Sequence, residues 1–359
     1  MASIWQRIIS PRETRSVTPT IPPRASSVAT AETALTLTAV WRSVQILATS
    51  VSNLGIQTKR YATGMEMNID TPLFINKPSF SYNRHQFIYA TVSELALTGN
   101  AFWLKSVNSA GVVNDVTLVP SNSVNVTYSV ANDITSARIY NYMGTNYSAD
   151  QVEHLQLFPR AGWLKAPSPI QVCSQDIIAA LELRDFQSNW FSSSGVPTGI
   201  LKRNGEVNAA DANEMRARWQ EMQATRQLAV LGNGFEYQTI SDSPADMLFT
   251  EISKQSVQQI ARLFGIPARK LVTGVDGTSD TYTNLTDEEH AFYRETLMAY
   301  TRPIQDALSN CLPRGTRVEF LWEDLFQADK ASRINMWKTA IEAGIVTAEY
   351  AATKEGFNA

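Results

Sequence analysis

The chain has 359 residues, of which 44% are hydrophobic and 18% charged, with a formal net charge of −3 at pH 7. That length allows two or three compact units or one elongated subunit, and the composition excludes a disordered polar chain. No apolar run approaches the roughly 20 residues needed to cross a bilayer, and the charge excludes tight duplex binding by phosphate neutralisation, though not weak sliding contact.

Taken in order, residues 1–30 are rich in Pro, Ser, Thr and Arg, with Arg7, Arg12, Arg15 and Arg24 against Glu13 alone. They read as a flexible arm, either solvated or touching nucleic acid or a neighbouring subunit. Met1 to Ile9 lacks a long apolar core and a small-residue cleavage site, so no signal peptide is expected. The 3.6-residue spacing of Leu37, Val40, Trp41, Val44, Leu47, Ala48 and Val51 predicts a helix over 34–54 that ends at Asn53 to Gly55. A strand over 56–61, a Pro-containing link over 73–78 and a helix over 83–97 follow, with His85 expected on its surface. Short strands are expected near 102–104, 112–119, 124–128, 137–142 and 152–158, separated by Asn, Gly, Ser and Asp, with a corner at Pro120. The first part is therefore helices flanking a mostly antiparallel β unit.

Pro167-Ser168-Pro169 begins a long helix to about Ser192, whose apolar side carries Ile177, Ile178, Leu181, Phe186 and Trp190. A small unit of strand (199–202), helix (209–224) and two further strands (228–231 and 235–240) comes next. It mixes Lys202, Arg203, Arg216, Arg218 and Arg226 with an equal number of acids, and is too small to bury much core except against copies of itself. After Asp246 a helix carries Ile252, Val257, Ile260, Leu263 and Phe264 on one stripe, then stops at Gly265-Ile266-Pro267. A polar loop runs from Val272 to Asn284. The next helix opens with Thr286-Asp287-Glu288-Glu289, a capping-box pattern, and holds Pro303, which should kink it. A strand over 316–322 and two short helices, 328–343 and 347–354, complete the chain.

Several of these stretches resemble the portal proteins of tailed bacteriophages, in their HK97-like branch. They are Asn76-Lys77-Pro78, Gly99-Asn100-Ala101-Phe102, Ser168-Pro169, Trp190-Phe191 with Pro197-Thr198-Gly199-Ile200-Leu201, Asp246, Phe264-Gly265-Ile266-Pro267, Asn284 and Pro303-Ile304. No one of them is as specific as a zinc or nucleotide signature; their order and spacing together are. The resemblance covers about Ala34 to Ala359. It implies an elongated α+β subunit: an arm (1–30), a wing (31–166), stem helix 1 (167–195), a clip (196–242), stem helix 2 (243–267), a tunnel loop (268–284), a kinked tunnel helix (285–312), a strand returning to the wing (313–327) and a small crown (328–359).

It further implies a homo-oligomeric ring of about twelve subunits at one capsid vertex, in the virion and, during assembly, in the host cytoplasm. Double-stranded DNA would pass through it without sequence recognition. The large terminase, the major capsid or scaffold protein and the head–tail adaptor would be its partners, with no membrane and no cofactor. Thr278, Ser279, Asp280, Thr281, Tyr282, Thr283 and Asn284 would line the channel. Lys202, Arg203, Arg216, Arg218 and Arg226 would belong to the docking clip.

The residues themselves offer little chemistry. His85, His154 and His290 are far apart, no Gly-x-Ser-x-Gly elbow is present, and neither Cys-x-x-Cys nor His-Glu-x-x-His occurs, so no catalytic or metal residues are expected. Glu288 and Glu289 are read as first-turn acids of a capped helix rather than as an acid–base pair. Gly274 and Gly277 lack the Gly-Lys-Ser/Thr ending of a phosphate loop. Trp41, Trp190 and Trp219 lie on apolar stripes and are assigned to packing rather than base stacking. Cys173 and Cys311 are isolated and read as free thiols of a reducing compartment. A non-viral ring or adaptor scaffold remains the competing class, with an unrecognised hydrolase behind it. The polar stretch 278–284 discriminates against the scaffold, which has no need of it.

Overall fold

The structure is a computed structural model that describes residues 28–62, 65–130, 136–191, 199–203, 235–239, 249–271, 288–322 and 330–355, together with positions 213 and 217. The chain begins with α1 (Ala31–Leu35), opened by a reciprocal cap between Thr30 and Thr33, and α2 (Thr38–Ser52). The sequence pattern suggests one helix here; the chain bends at Thr36-Leu37 instead. On α2 the stripe Val40, Val44, Leu47, Ala48 and Val51 is buried. Trp41 is not part of it and stands 58% exposed, which corrects its assignment to the core.

Strand β1 (Gly55–Ala62) lies between β2 (Met65–Ile69) and the late strand β11 (Thr316–Leu321), all antiparallel, with Thr58 opposite both Ile69 and Val318. The chain thus returns across more than two hundred residues to close this sheet. The link after it contains a short helix, α3 (Leu73–Asn76). Helix α4 (Arg84–Thr98) opens with a capping box between Asn83 and Gln86 and ends at Gly99 in the left-handed region, φ 73°. His85 is exposed, as expected, and its Nε2 lies 3.0 Å from Ser52 Oγ.

Six strands follow in two sheets. The first runs β4 (Val113–Val119), β3 (Asn100–Val107), β8 (Val152–Gln156); the second runs β5 (Val124–Tyr128), β6 (Arg138–Tyr142), β7 (Thr145–Ser148). Strands β2 and β7 are not among the strands expected from the sequence. A small core of Phe102, Val119, Val124, Val126, Tyr140 and Val152 joins the two sheets. The other face of β3 gives Trp103 to the main core, where its indole N–H donates to Thr91 Oγ1 at 3.1 Å and its ring meets Phe87.

The long helix expected from Pro169 is broken at Cys173 into α5 (Pro169–Val172) and α6 (Ser174–Phe191). On α6, Ile177 is buried but Phe186 is 45% exposed, so the apolar side continues past the part of the helix that packs. The side chain of Trp190, and Trp219, lie outside the described residues. Strands β9 (Gly199–Arg203) and β10 (Phe235–Thr239) form an antiparallel pair. Helix α7 (Phe249–Phe264) packs beside α6, with Gln187 Nε2 donating to Ser253 Oγ at 3.0 Å. Its Ile260 and Phe264 are buried whereas Ile252 is 44% exposed.

A further helix spans residues 288–310. Its part Phe292–Leu297 is π-helical and its part α8 (Met298–Asn310) is α-helical, carrying Pro303 inside. The main departure from regular helical bonding is therefore upstream of the proline. Ile304, Ala307 and Leu308 bury α8 in the main core. Helices α9 (Lys330–Glu342) and α10 (Ala348–Glu355) end the described chain, linked by a 2.9 Å hydrogen bond from the Trp337 indole to Glu355.

Candidate functional site

The seven polar residues Thr278 to Asn284 lie outside the described residues, as do Arg216, Arg218 and Arg226. Lys202 and Arg203 sit on β9, in register with Glu236 and Phe235 of β10. What the structure does define is the ground from which the polar stretch departs and to which it returns.

On the departing side, α7 buries Ile260, Ala261 and Phe264 and then ends in a Schellman motif. Gly265 N–H donates to Arg262 O at 3.1 Å, and Ile266 N–H to Ala261 O at 2.9 Å. Gly265 takes φ 63°, a left-handed conformation that costs a Cβ-bearing residue about 1–2 kcal/mol. Ile266, just beyond, is buried and pins the turn. Pro267 cannot continue the helix; it precedes a single 3₁₀ turn, Ala268–Lys270. That turn presents Arg269 and Lys270 side by side.

On the returning side stand Glu288 and Glu289. Arg269 Nε pairs closely with Glu288 Oε2, Arg269 Nη2 reaches Glu289 Oε1 at 2.9 Å, and Lys270 Nζ reaches the Glu289 carboxylate at 2.8 Å. The same ammonium lies 5.2 Å from the Phe292 ring centre. The four charged side chains are between 26% and 42% exposed, so solvent screens the pairs and each contributes about 0.5–1 kcal/mol. The Glu289 side chain thus spans the gap to Arg269 and Lys270. Thr286, its expected partner, lies outside the described residues. Tyr293, one turn on, has its phenol pKa pushed up by burial and by the Glu289 charge.

The π segment supplies a third tie. Thr296 Oγ1 donates to Gly265 O at 2.7 Å. A Cβ on Gly265 would come within 2.6 Å of that hydroxyl oxygen, so a glycine is required by space as well as by φ. The sequence did signal part of this. A basic pair precedes the polar stretch and an acidic pair follows it, but pairing across the intervening residues is not readable from spacing.

A second joint connects two of the stretches on which the family resemblance rests. Gly99 would, with a Cβ, meet Pro167 O at 2.5 Å. Asn100 donates from Nδ2 to Ala166 O and accepts at Oδ1 from Ala166 N–H, both at 2.9 Å, and Ser168 Oγ donates to Leu97 O at 2.8 Å. The Gly-Asn-Ala turn and the Ser-Pro helix start are thus two halves of one hydrogen-bonded junction. Beside it, His154 stacks on Phe102 with ring centres 4.2 Å apart and its Nε2 donates to Asn100 Oδ1 at 3.1 Å. Asn100 Oδ1 can only accept, which fixes the neutral Nε2–H tautomer. His154 Nδ1 is sealed from solvent with no hydrogen-bond partner. Burial, with Arg138 and Lys165 nearby, lowers its pKa to about 3. Lys165 is held by the carbonyls of Ser121 and Val124. These are structural roles.

Among the described residues, no group of three or more His, Cys, Asp or Glu side chains is placed to hold a metal ion, and no helix is long and apolar enough to cross a membrane. Cys311 is buried, and burial pushes its thiol up to about 12, far from a reactive thiolate.

Comparison with known proteins points in one direction. The sequence model of the family described as "Phage portal protein" matches residues 38–356. The portal protein of Enterobacteria phage HK97 is 24% identical over 335 residues, which is 88% of this chain and 77% of that protein. An HK97-family phage portal protein from Corynebacterium diphtheriae has a similar fold, with TM-score 0.61 at 14% identity over 84% of this chain and 98% of that one. A chain in the neck of a native gene transfer agent particle, computed with C12 symmetry, gives TM-score 0.64 at 19% identity over 90% and 91% of the two chains.

Proposed function

The chain belongs to the phage portal protein family, and we propose that copies of it close into a ring around a DNA channel at one vertex of a capsid. The observation that carries this reading is the extent of the family match, which runs from α2 through α10 and takes in α6, α7 and the helix after the polar stretch. The ring is supported by the likeness to a subunit of a particle neck of cyclic symmetry, and a rotation of about one-twelfth of a turn per subunit closes without a free edge.

In this reading the function is mechanical. DNA enters, is retained and leaves, and contact is made through phosphates and excluded volume rather than base edges. A net charge of −3 suits a wall along which DNA slides. Thr278, Ser279, Asp280, Thr281, Tyr282, Thr283 and Asn284 would face the channel: they are polar and uncharged but for Asp280. The unit containing Lys202, Arg203, Arg216, Arg218 and Arg226 would meet the packaging terminase and afterwards the head–tail adaptor. The motor ATPase would reside in the terminase.

Shortening residues 278–284 tests the loop assignment. Particles built with the shortened chain should form rings of unchanged mass but package or retain less DNA. Normal packaging with the shortened loop would remove these residues from the channel wall.

A further inference from the structure

The charged cluster at the base of the polar stretch has no place in the family resemblance, and it is the densest set of ion pairs among the described residues. Arg269 and Lys270 leave the 3₁₀ turn; Glu288 and Glu289 lie on the incoming helix; both cations reach Glu289 at 2.8–2.9 Å, and Arg269 also pairs with Glu288. Two cations meet two carboxylates, so the cluster is neutral. It joins the two ends of the segment 272–287 at one point. Thr296 and Gly265 add an uncharged tie next to it, at 2.7 Å.

The pairing depends on the phase of the helix. Closing i→i+5 bonds over Phe292–Leu297 accommodates one residue more than an α-helical path does. At 3.6 residues per turn, one residue is a rotation of about 100° and a rise of about 1.5 Å. Residues 288–291 are therefore turned, relative to α8, by roughly that angle from where an uninterrupted α-helix would put them. The π segment begins at Phe292, the ring over which Lys270 rests, and includes Thr296, which holds Gly265.

We infer that Arg269, Lys270, Glu288 and Glu289 are positioning residues that clamp the base of the channel loop, and that the π segment sets the helix phase in which the clamp closes. This rests on the reading of 278–284 as channel-facing for its functional meaning, but not for its physics. A loop whose two ends are fixed to each other moves only as a closed loop. A loop whose ends separate lets the incoming helix shift against α7.

Backbone hydrogen exchange on the full-length protein tests it. Three variants are compared with the parent: Glu288→Gln with Glu289→Gln, Arg269→Gln with Lys270→Gln, and all four together. Each pair of changes should raise exchange about 5- to 30-fold at residues 268–271 and 292–297, leaving the β3 amides unchanged. The fourfold variant should exchange no faster than either pair, because the clamp is already open. Raising the parent protein to about 1 M salt should move it part of the way. Deleting exposed Arg294 removes the one residue that the π turn takes up, so an α-helical path joins the same end points in the same phase and exchange should stay as in the parent. Unchanged exchange in the neutralised pairs, or effects of the two pairs that multiply in the fourfold variant, overturns the clamp, and opening on deletion of Arg294 overturns the role of the π segment in setting the phase. In assembled rings the neutralised variants should lose retained DNA at constant ring mass; full retention overturns the positioning role. Failure of the parent chain to form rings would instead strike the channel reading and leave the exchange result standing.

Discussion

The substitution Gly265→Ala probes the joint below the polar stretch at a single atom. The new methyl incurs a left-handed backbone cost of about 1–2 kcal/mol at φ 63°. It also lands 2.6 Å from Thr296 Oγ1, closer than real Cβ contacts come, and a tight 3.2 Å from Thr296 Cγ2. Thr296 must then swing away and release its 2.7 Å hydrogen bond to Gly265 O, worth about 1 kcal/mol, while the displaced packing costs about as much again. The expected destabilisation is about 3–4 kcal/mol. Removing the hydroxyl and methyl with Thr296→Ala leaves only Cβ, at 3.5 Å, an ordinary contact. In that background Gly265→Ala should cost only the backbone term, about 1–2 kcal/mol. Urea unfolding of the four proteins gives the coupling directly. Thr296→Ala alone should destabilise by about 1 kcal/mol, yet be neutral or stabilising once alanine is present at 265. An equal cost for Gly265→Ala in both backgrounds would refute the steric account and leave φ alone as the reason for the glycine.

Gly99→Ala should behave differently, because its obstacle is Pro167 O, a backbone atom at 2.5 Å; a loss of about 3 kcal/mol or more is expected, measured by the same unfolding, with no side-chain truncation at 167–169 restoring it. His154 has a folded pKa near 3, below its unfolded value near 6.5, so the unfolded state binds the extra proton between them. Its contribution is whole above pH 6.5 and is lost as pH falls toward 3, at up to about 1.4 kcal/mol per pH unit. Denaturation midpoints across that range should show a shallower acid loss in His154→Gln, and an identical slope would contradict the burial. Of the two cysteines, partly buried Cys173 should react with a thiol reagent in the native protein and Cys311 only on unfolding. Rapid native modification of both would show that the helix carrying Cys311 opens.

Much of this fold could be read from residues with a single physical solution. Asn83 with Gln86, Gly99 and Gly265 mark helix ends because only such residues satisfy the orphan backbone groups or the left-handed turn there. The stripe on α2 was legible for the same kind of reason, since Val40, Val44, Leu47 and Val51 repeat at helical spacing. Trp41 was misread because it sits about 100° around from Val40, beside exposed Arg42, and a large apolar side chain invites burial regardless of its angle. Strand β2 does alternate apolar and polar residues, but it is five residues long and Met65 and Met67 stay exposed, while β7 has only Tyr147 as a large side chain. Met-Glu-Met-Asn-Ile and Thr-Asn-Tyr-Ser are extended because β1 and β6 offer them a ladder, not because a face needs burying. The site divides in the same way. The Schellman stop could be read locally, but the pairing of Glu289 with Arg269 and Lys270 could not, because these side chains meet only when two helices pack. The π segment has no compositional mark at all, as it is a compromise between where α8 is held by the core and where the ends of the loop must meet.

The central claim is that this chain builds a channel, and imaging the purified protein with its mass from light scattering tests that most directly. A closed ring of about twelve copies around a hole wide enough for a DNA duplex is the predicted result. A compact dimer without a hole would contradict it.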